Sequence, residues 1–415
     1  MRRRVAVTGQ GVVSPLGNDP DSFFAKLMAG ESGVGRLRAD FAEQLDCKIA
    51  AQVDFDPQAH FSKRELAGLD RVSQFALIAA RQAVSASGLD LAQSDRSRIG
   101  VTLGTGMGGA ASIDENYARL YRDGASRLPP FTVLMAMNGA AASQIAMAYA
   151  LAGPNLTYST ACSSSAVAIG EAFRLIRHGY ADTMLAGGAE ALLTYGTIRA
   201  WEALRTLARE DAADPSASCK PFAADRSGLV LGEGAAVFVL EEWDAAVSRG
   251  ATILAELIGY GSSNDGSHIT QPTVAGQAAA MRAALADAQL GTAAIGYINA
   301  HGTGTVLNDK TETAAIKEVF ADHVHHLAVS STKSMHGHLM GAAGAVEFVA
   351  CVQALREQAV PPTQHLVKSD PECDLDYVPG RGRLNVPLEH VMSNSFAFGG
   401  TSAVLVVKRP TPARR

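Results

Sequence analysis

Short runs of β-branched and apolar residues alternate along this chain with longer stretches whose apolar positions recur every three to four residues. That alternation is the pattern of an α/β protein. It predicts strands over residues 4–8, 99–103, 183–186, 235–240, 253–259, 296–299, 327–331 and 403–407. It predicts helices over 70–87, 132–151, 163–178, 276–288, 310–320 and 344–357. Several strands run straight into glycines, as in Gly104-Thr-Gly-Met-Gly-Gly and Gly187-Gly188. Residues 408–415, rich in Arg and Pro, read as a frayed tail.

The segment 128–170 carries no charged residue, and 133–153 is long enough to span a bilayer. Asn138, Ser143 and Gln144 sit at its centre and Ala outnumbers Leu and Ile, so the pattern favours a helix buried on all sides, in a core or a subunit interface. The basic head Met1-Arg-Arg-Arg precedes no sustained apolar run and reads as the entry to a first strand. Both readings describe a soluble protein that does not enter a membrane.

Composition narrows the picture further. Hydrophobic residues make up 47% of the 415 and charged residues only 19%, against a usual ~25%, which points to extensive buried surface and an oligomer interface. The net charge of −5 argues against nucleic acid as a partner. Five widely spaced cysteines without a CxxC pair read as reduced thiols of a cytoplasmic protein, with neither a disulfide framework nor a zinc site. The length fits two similar halves, placed here at residues 1–250 and 251–415. A weak long-period repeat supports them: Thr160-Ala-Cys-Ser-Ser-Ser and Ser331-Thr-Lys-Ser-Met-His-Gly-His each join a strand to a small-residue turn and a helix.

Three side chains stand out chemically. Cys162 lies at the mouth of a helix with Ser163, Ser164 and Ser165 placed to cap it, where free N–H groups lower a thiol pKa and can hold an oxyanion. His301, at a strand end entering a Gly/Thr loop, and His338, before another helix, are placed to donate to a developing oxyanion. No helical His pair supports a metal site. A buried structural Cys and two satisfied core His are the bland alternative.

Taken together, Thr160-Ala-Cys-Ser-Ser, Asn299-Ala-His-Gly-Thr-Gly-Thr, the run Ser331 to Glu347 and Asn394-Ser-Phe-Ala-Phe-Gly-Gly-Thr resemble the β-ketoacyl-acyl-carrier-protein synthases. The elongating type II branch, with a Cys-His-His centre, is the most similar. The resemblance implies a thiolase fold, two βαβαβαβ halves in five layers α-β-α-β-α, and a homodimer. It implies that Cys162 holds the acyl chain and that His301 and His338 assist decarboxylation of malonyl-carrier protein. Lys333 would balance the site electrostatically, paired with Glu312. Thr303 and Thr305 would bind the phosphopantetheine arm with Thr270 beside them, Phe398 would gate the site, and Met107 would limit pocket depth. Phe131 would reach the pocket from the dimer partner.

No cofactor is expected beyond the arm of acyl carrier protein. For that acidic partner, Lys63, Arg64, Arg122, Arg127, Arg205 and Arg209 are the docking candidates. Three positions depart from the family pattern: Ala397 for Gly, Ser402 for Asn and His336 for Thr. A thiolase would need a second reactive Cys, which neither Cys351 nor Cys373 is placed to supply. A cysteine hydrolase fits two His and a Lys less well than condensation, and a silent chain-length partner usually lacks the Cys. Fatty-acid and specialised polyketide pathways both remain open.

Overall fold

A computed structural model describes residues 2–410; of the tail anticipated at 408–415, residues 411–415 lie outside the described residues. Ten strands form the main sheet: β1 (Val5–Val13), β4 (Ile99–Gly104), β5 (Asn155–Tyr158), β6 (Thr183–Glu190), β7 (Gly234–Glu242), β8 (Ala255–Asn264), β9 (Tyr297–Asn299), β10 (Ala328–Ser330), β11 (His390–Phe396) and β12 (Thr401–Lys408). A separate hairpin pairs β2 (Val34–Arg36) with β3 (Ile49–Ala51). The spatial order is β10-β9-β11-β12-β8-β1-β7-β6-β4-β5.

Divided at the β1–β8 contact, where only Val5–Val7 pair with Ala255–Leu257, this order falls into two five-stranded sheets, one motif used twice. Each set of five strands runs third-second-fourth-fifth-first. In each, the second strand pairs parallel with the third and fourth, and the fifth is antiparallel to both neighbours.

The helix after each third strand, Ser164–Arg177 and Ala343–Glu357, forms the central layer. Every residue from Ala343 to Leu355 is buried. Ile169 and Phe173 pack with Val346 and Phe348 against Phe238 of one sheet and Leu405 of the other. Arg71–Ser87 covers the first sheet on its outer face through Phe75 and Ala79. Val274–Ala288 and Val306–Phe320 cover the second through Met281 and Ile316. The five layers are therefore present, as expected.

Several elements depart from the pattern-based reading. The helix expected over 132–151 is two helices, Thr132–Ala136 and Ala140–Tyr149, because Met137 turns extended and Gly139 restarts the chain. It is not a core helix: in the single chain Phe131, Val133, Leu134 and Met137 are exposed. Strands β5 and β11 were not anticipated. Among the described residues no helix is long and apolar enough to cross a membrane.

Candidate active site

The two central helices bring their N-terminal turns together at the middle of the molecule. Each is preceded by a 3-10 turn, Ala161–Ser163 and Met340–Ala342. Ala161 and Met340 occupy matching places with φ of 49° and 45°, a left-handed conformation that strains non-glycine residues and recurs where a side chain must be thrust out of a turn. The repeat register is thus Thr160-Ala-Cys-Ser against Leu339-Met-Gly-Ala, rather than against the Lys333 segment as the sequence suggested. The serines do not cap the helix either. Ser164 Oγ donates to the Ala161 carbonyl and Ser165 Oγ accepts from Ala345 N–H of the other central helix, so they tie the turns together.

Cys162, His301 and His338 converge: one side-chain ligand atom from each lies within 4.8 Å of the others. His338 Nδ1 accepts from Met340 N–H at 3.1 Å, which leaves the hydrogen on Nε2, and that atom has no partner. An imidazole in this tautomer donates through Nε2 and does not ligate a metal there. His301 is held the same way. Lys333 Nζ, which can only donate, lies 3.4 Å from His301 Nδ1 and 2.6 Å from the His301 carbonyl. Burial and the Lys333 charge hold both imidazoles well below the ordinary His value, neutral at physiological pH.

The partner expected for Lys333 is corrected. Its third contact is Glu347, from the central helix, and both side chains are fully buried. Glu312 instead accepts from His301 N–H, Gly302 N–H and Asn394 Nδ2, fixing the backbone of the His301 loop. Its place on the helix opposite that loop puts it out of line with the ammonium. Asp309, one turn earlier, does the same for Thr303 and Gly304.

The thiol also differs from expectation. Burial pushes Cys162 up to about 11, although Lys333 pulls it down and the N–H groups of Phe398 and of Cys162 itself point at the sulfur. Desolvation outweighs the helix terminus here.

A cleft of about 300 Å³ reaches these three side chains and is lined by Thr270, Thr303, Thr305 and Phe398, with Arg205 at its rim. Thr303 and Thr305 hydroxyls are 2.8 Å apart. Phe398 rests against Trp201, ring centroids 6.0 Å apart. Met107 and Phe131 do not line this cleft; both are about half exposed. Of the basic candidates, Arg209 is exposed close in sequence to Arg205, Lys63 and Arg64 lie exposed on a short helix elsewhere, Arg127 is exposed, and Arg122 pairs with Asp123.

Sequence reasoning missed Glu190, Asp309 and Glu347. Glu190 is buried at the end of β6 and accepts from Gly106, Met107 and Gly341 N–H groups, joining the two halves behind Cys162. A lone charge in the otherwise apolar run 343–352 was the available signal for Glu347. All five cysteines are free; Cys351 and Cys373 sit in apolar cores.

Comparison with known proteins matches this arrangement. The chain fits Beta-ketoacyl synthase, N-terminal domain, over residues 2–246 and Beta-ketoacyl synthase, C-terminal domain, over residues 254–367. It is 45% identical over 413 residues to Nodulation protein E of Rhizobium meliloti (strain 1021), covering 99% of this chain and 100% of that one. It is 43% identical over 412 residues to 3-oxoacyl-[acyl-carrier-protein] synthase 2 of Coxiella burnetii, covering 98% and 99%. A solved type II polyketide acyl-carrier protein in complex with its ketosynthase superposes with a TM-score of 0.90 at 33% identity, over 99% of this chain and 100% of that one. With family models matched in both halves and relatives aligned over nearly the whole chain, the chain belongs to the β-ketoacyl synthase family, the acyltransferase-type condensing enzymes of thiolase fold.

Proposed function

We propose that this protein elongates an acyl chain held as a thioester on Cys162, by decarboxylative condensation with a malonyl group carried on acyl carrier protein. The observation that carries the reading is the pair of neutral imidazoles, both with hydrogen on Nε2, facing one buried thiol across a cleft narrow enough for a thin arm.

In the loading step Cys162 Sγ attacks the carrier thioester, and the arm's thiol departs with the proton. The N–H groups of Cys162 and Phe398 are placed to hold the tetrahedral oxyanion. Malonyl-carrier then enters past Thr303, Thr305 and Thr270. As carbon dioxide leaves, the electron pair moves onto the thioester oxygen, where the Nε2–H groups of His301 and His338 stabilise the enolate. The enolate carbon attacks the Cys162 thioester; collapse expels the Cys162 sulfur, which takes up a proton, and leaves a β-ketoacyl chain two carbons longer on the carrier.

Lys333 keeps both imidazoles neutral and turns His301 the right way, while Met340 N–H turns His338. Glu312 holds the His301 loop. Phe398, set beside the flexible Gly399-Gly400 pair at φ of 84° and 80°, gates the thiol. The carrier docks at the rim, where Arg205 stands beside exposed Leu204, Ile269 and Val306, with Arg209 and, across a dimer, Lys63, Arg64, Arg122 and Arg127 adding positive charge. Met107 and Phe131 bound the acyl pocket once a second copy covers them. The substrates bring their own arm, and no further cofactor takes part.

Intact-mass analysis of protein and carrier, after mixing with acyl- and malonyl-carriers of several chain lengths, tests the proposal. Acylation and a β-ketoacyl product with the wild type, and neither with Cys162→Ala, are the expected result. Free acid as product, or no acylation at any length, overturns it.

A further inference from the structure

His336 is fully buried, two residues before His338, and contributes no atom to the cleft. Its surroundings determine every proton. The Gly337 carbonyl, 2.8 Å from Nδ1, can only accept, so Nδ1 carries the hydrogen. Nε2 is then an acceptor, and the Thr332 hydroxyl 2.9 Å away donates to it. That hydroxyl's remaining capacity accepts from Asn299 Nδ2 at 3.3 Å.

The resulting chain runs Asn299 to Thr332 to His336 to Gly337 in one direction, without a conflict and without solvent. Its members are spaced tellingly. Asn299 is two residues before His301, Thr332 is one before Lys333, and His336 is two before His338. These groups come from two places: the end of β9, and the single helical turn Lys333–His336 capped by Thr332, which runs straight into His338. Among the described residues, Gly337 adopts φ 69° with ψ −170°, a conformation open to glycine, and the bonded carbonyl is the one that leads into His338.

We propose that His336 is a positioning residue, a clasp that sets the Nε2 donors of His301 and His338 in register with each other through Thr332. The imidazole offers an acceptor to the Thr332 hydroxyl and a donor to the Gly337 carbonyl at the same time. Burial pulls its pKa down to about 3, so the clasp keeps one protonation state across the physiological range. The inference rests on the condensing reaction proposed above, because it assigns the clasp to the decarboxylation and condensation steps. Loading depends on Cys162 and the Phe398 N–H, which the clasp does not touch.

The test compares His336→Ala, His336→Gln and Thr332→Val for two separate half-reactions: single-turnover acylation of Cys162, and release of carbon dioxide from malonyl-carrier protein. His336→Ala and Thr332→Val each lower kcat for carbon dioxide release by about 10- to 100-fold, the cost of a catalytic group displaced by ~1 Å. KM for the malonyl carrier and the acylation rate stay within about threefold by the same reasoning, since neither binding nor loading groups move. His336→Gln, whose amide oxygen can accept the Thr332 proton, recovers most of the rate. The double variant His336→Ala/Thr332→Val is no slower than the worse single variant, as members of one unit must be.

Additive losses, an equal fall in acylation, or failure of Gln to rescue a variant with unchanged thermal unfolding overturns the proposal. Should His336→Ala not fold, Thr332→Val and His336→Gln give the same decision. Wild-type protein that neither loads nor releases carbon dioxide overturns the condensing reading as well; active wild type with unaffected variants overturns this inference alone.

Discussion

Lys333 makes three contacts at once, to the His301 carbonyl, to His301 Nδ1 and to Glu347, and all of them are dry. A buried pair of this kind is costly to break from one side, because the remaining charge is left desolvated. Glu347→Leu alone is therefore expected to destabilise by about 3–5 kcal/mol in chemical denaturation. Adding Lys333→Met should restore most of that loss while activity stays absent, since His301 loses its anchor. Recovery of activity in the double variant would show that Lys333 is only half of a structural pair.

The thiol gives a second test. With burial holding Cys162 up to about 11, its thiolate fraction grows about tenfold per pH unit below that value. The rate of alkylation by iodoacetamide should climb steadily between pH 7 and 9. A plateau below pH 8 would mean the thiolate is already formed. At this scale the sequence exposed the groups that face substrate, because Cys162, His301 and His338 each sit in a turn of small residues. It concealed the groups behind them. Whether Lys333 meets Glu312 or Glu347 depends on which helix packs across it, and no local pattern encodes that.

At the scale of elements, the site depends on the close approach of two turns rather than on any one loop. A Cβ on Gly341 would lie 2.3 Å from the Gly106 nitrogen, and both glycines are tied by N–H to the same Glu190. No rotamer relieves a clash with backbone, so Gly341→Ala must push the 105–107 loop and the Met340–Ala342 turn apart. The expected result is a protein less stable by several kcal/mol whose Cys162 acylates slowly, read by thermal unfolding and single-turnover mass analysis. Native stability with normal acylation would show that the turns tolerate separation.

The same closeness explains which elements were legible. Five of the six expected helices and all eight expected strands follow their apolar periods because they pack on a core. Strand β11 carries Ser393, Asn394 and Ser395 fully buried, and Asn394 reaches Glu312. Polar residues placed there for the site erase the strand signal. The break at Met137 to Gly139 was hidden for the opposite reason: an uncharged run looks continuous whether its helix is one piece or two.

On the scale of the whole molecule, the duplicated topology makes an internal comparison available. β10 and β5 are the equivalent edge strands of the two sets. β10 is buried, and Val329 N–H donates to the Asp376 carbonyl of a following segment that covers it. β5 is treated differently: Asn155 and Leu156 are exposed, and the neighbouring helices expose Val133, Leu134, Met137 and Met147. An apolar face beside an open strand edge is a template for another strand. Because the face is a single patch next to one edge, the simplest closed assembly is two copies related by a two-fold axis, each presenting the same patch.

Such pairing would also cover Phe131, which lies close in sequence to the exposed Val133 and Leu134 and is proposed above to bound the acyl pocket. Sedimentation of the wild type should give twice the chain mass. Leu156→Asp with Met147→Asp should give single chains that remain folded by circular dichroism. Those single chains should lose discrimination among acyl lengths before they lose the Cys162 thiol's reactivity toward iodoacetamide. Phe131→Ala, which leaves the strand edge alone, should keep the dimer and shift the preferred chain toward longer acyl groups. Unchanged length preference in Phe131→Ala would remove the partner from the pocket and leave the open edge as an assembly feature only.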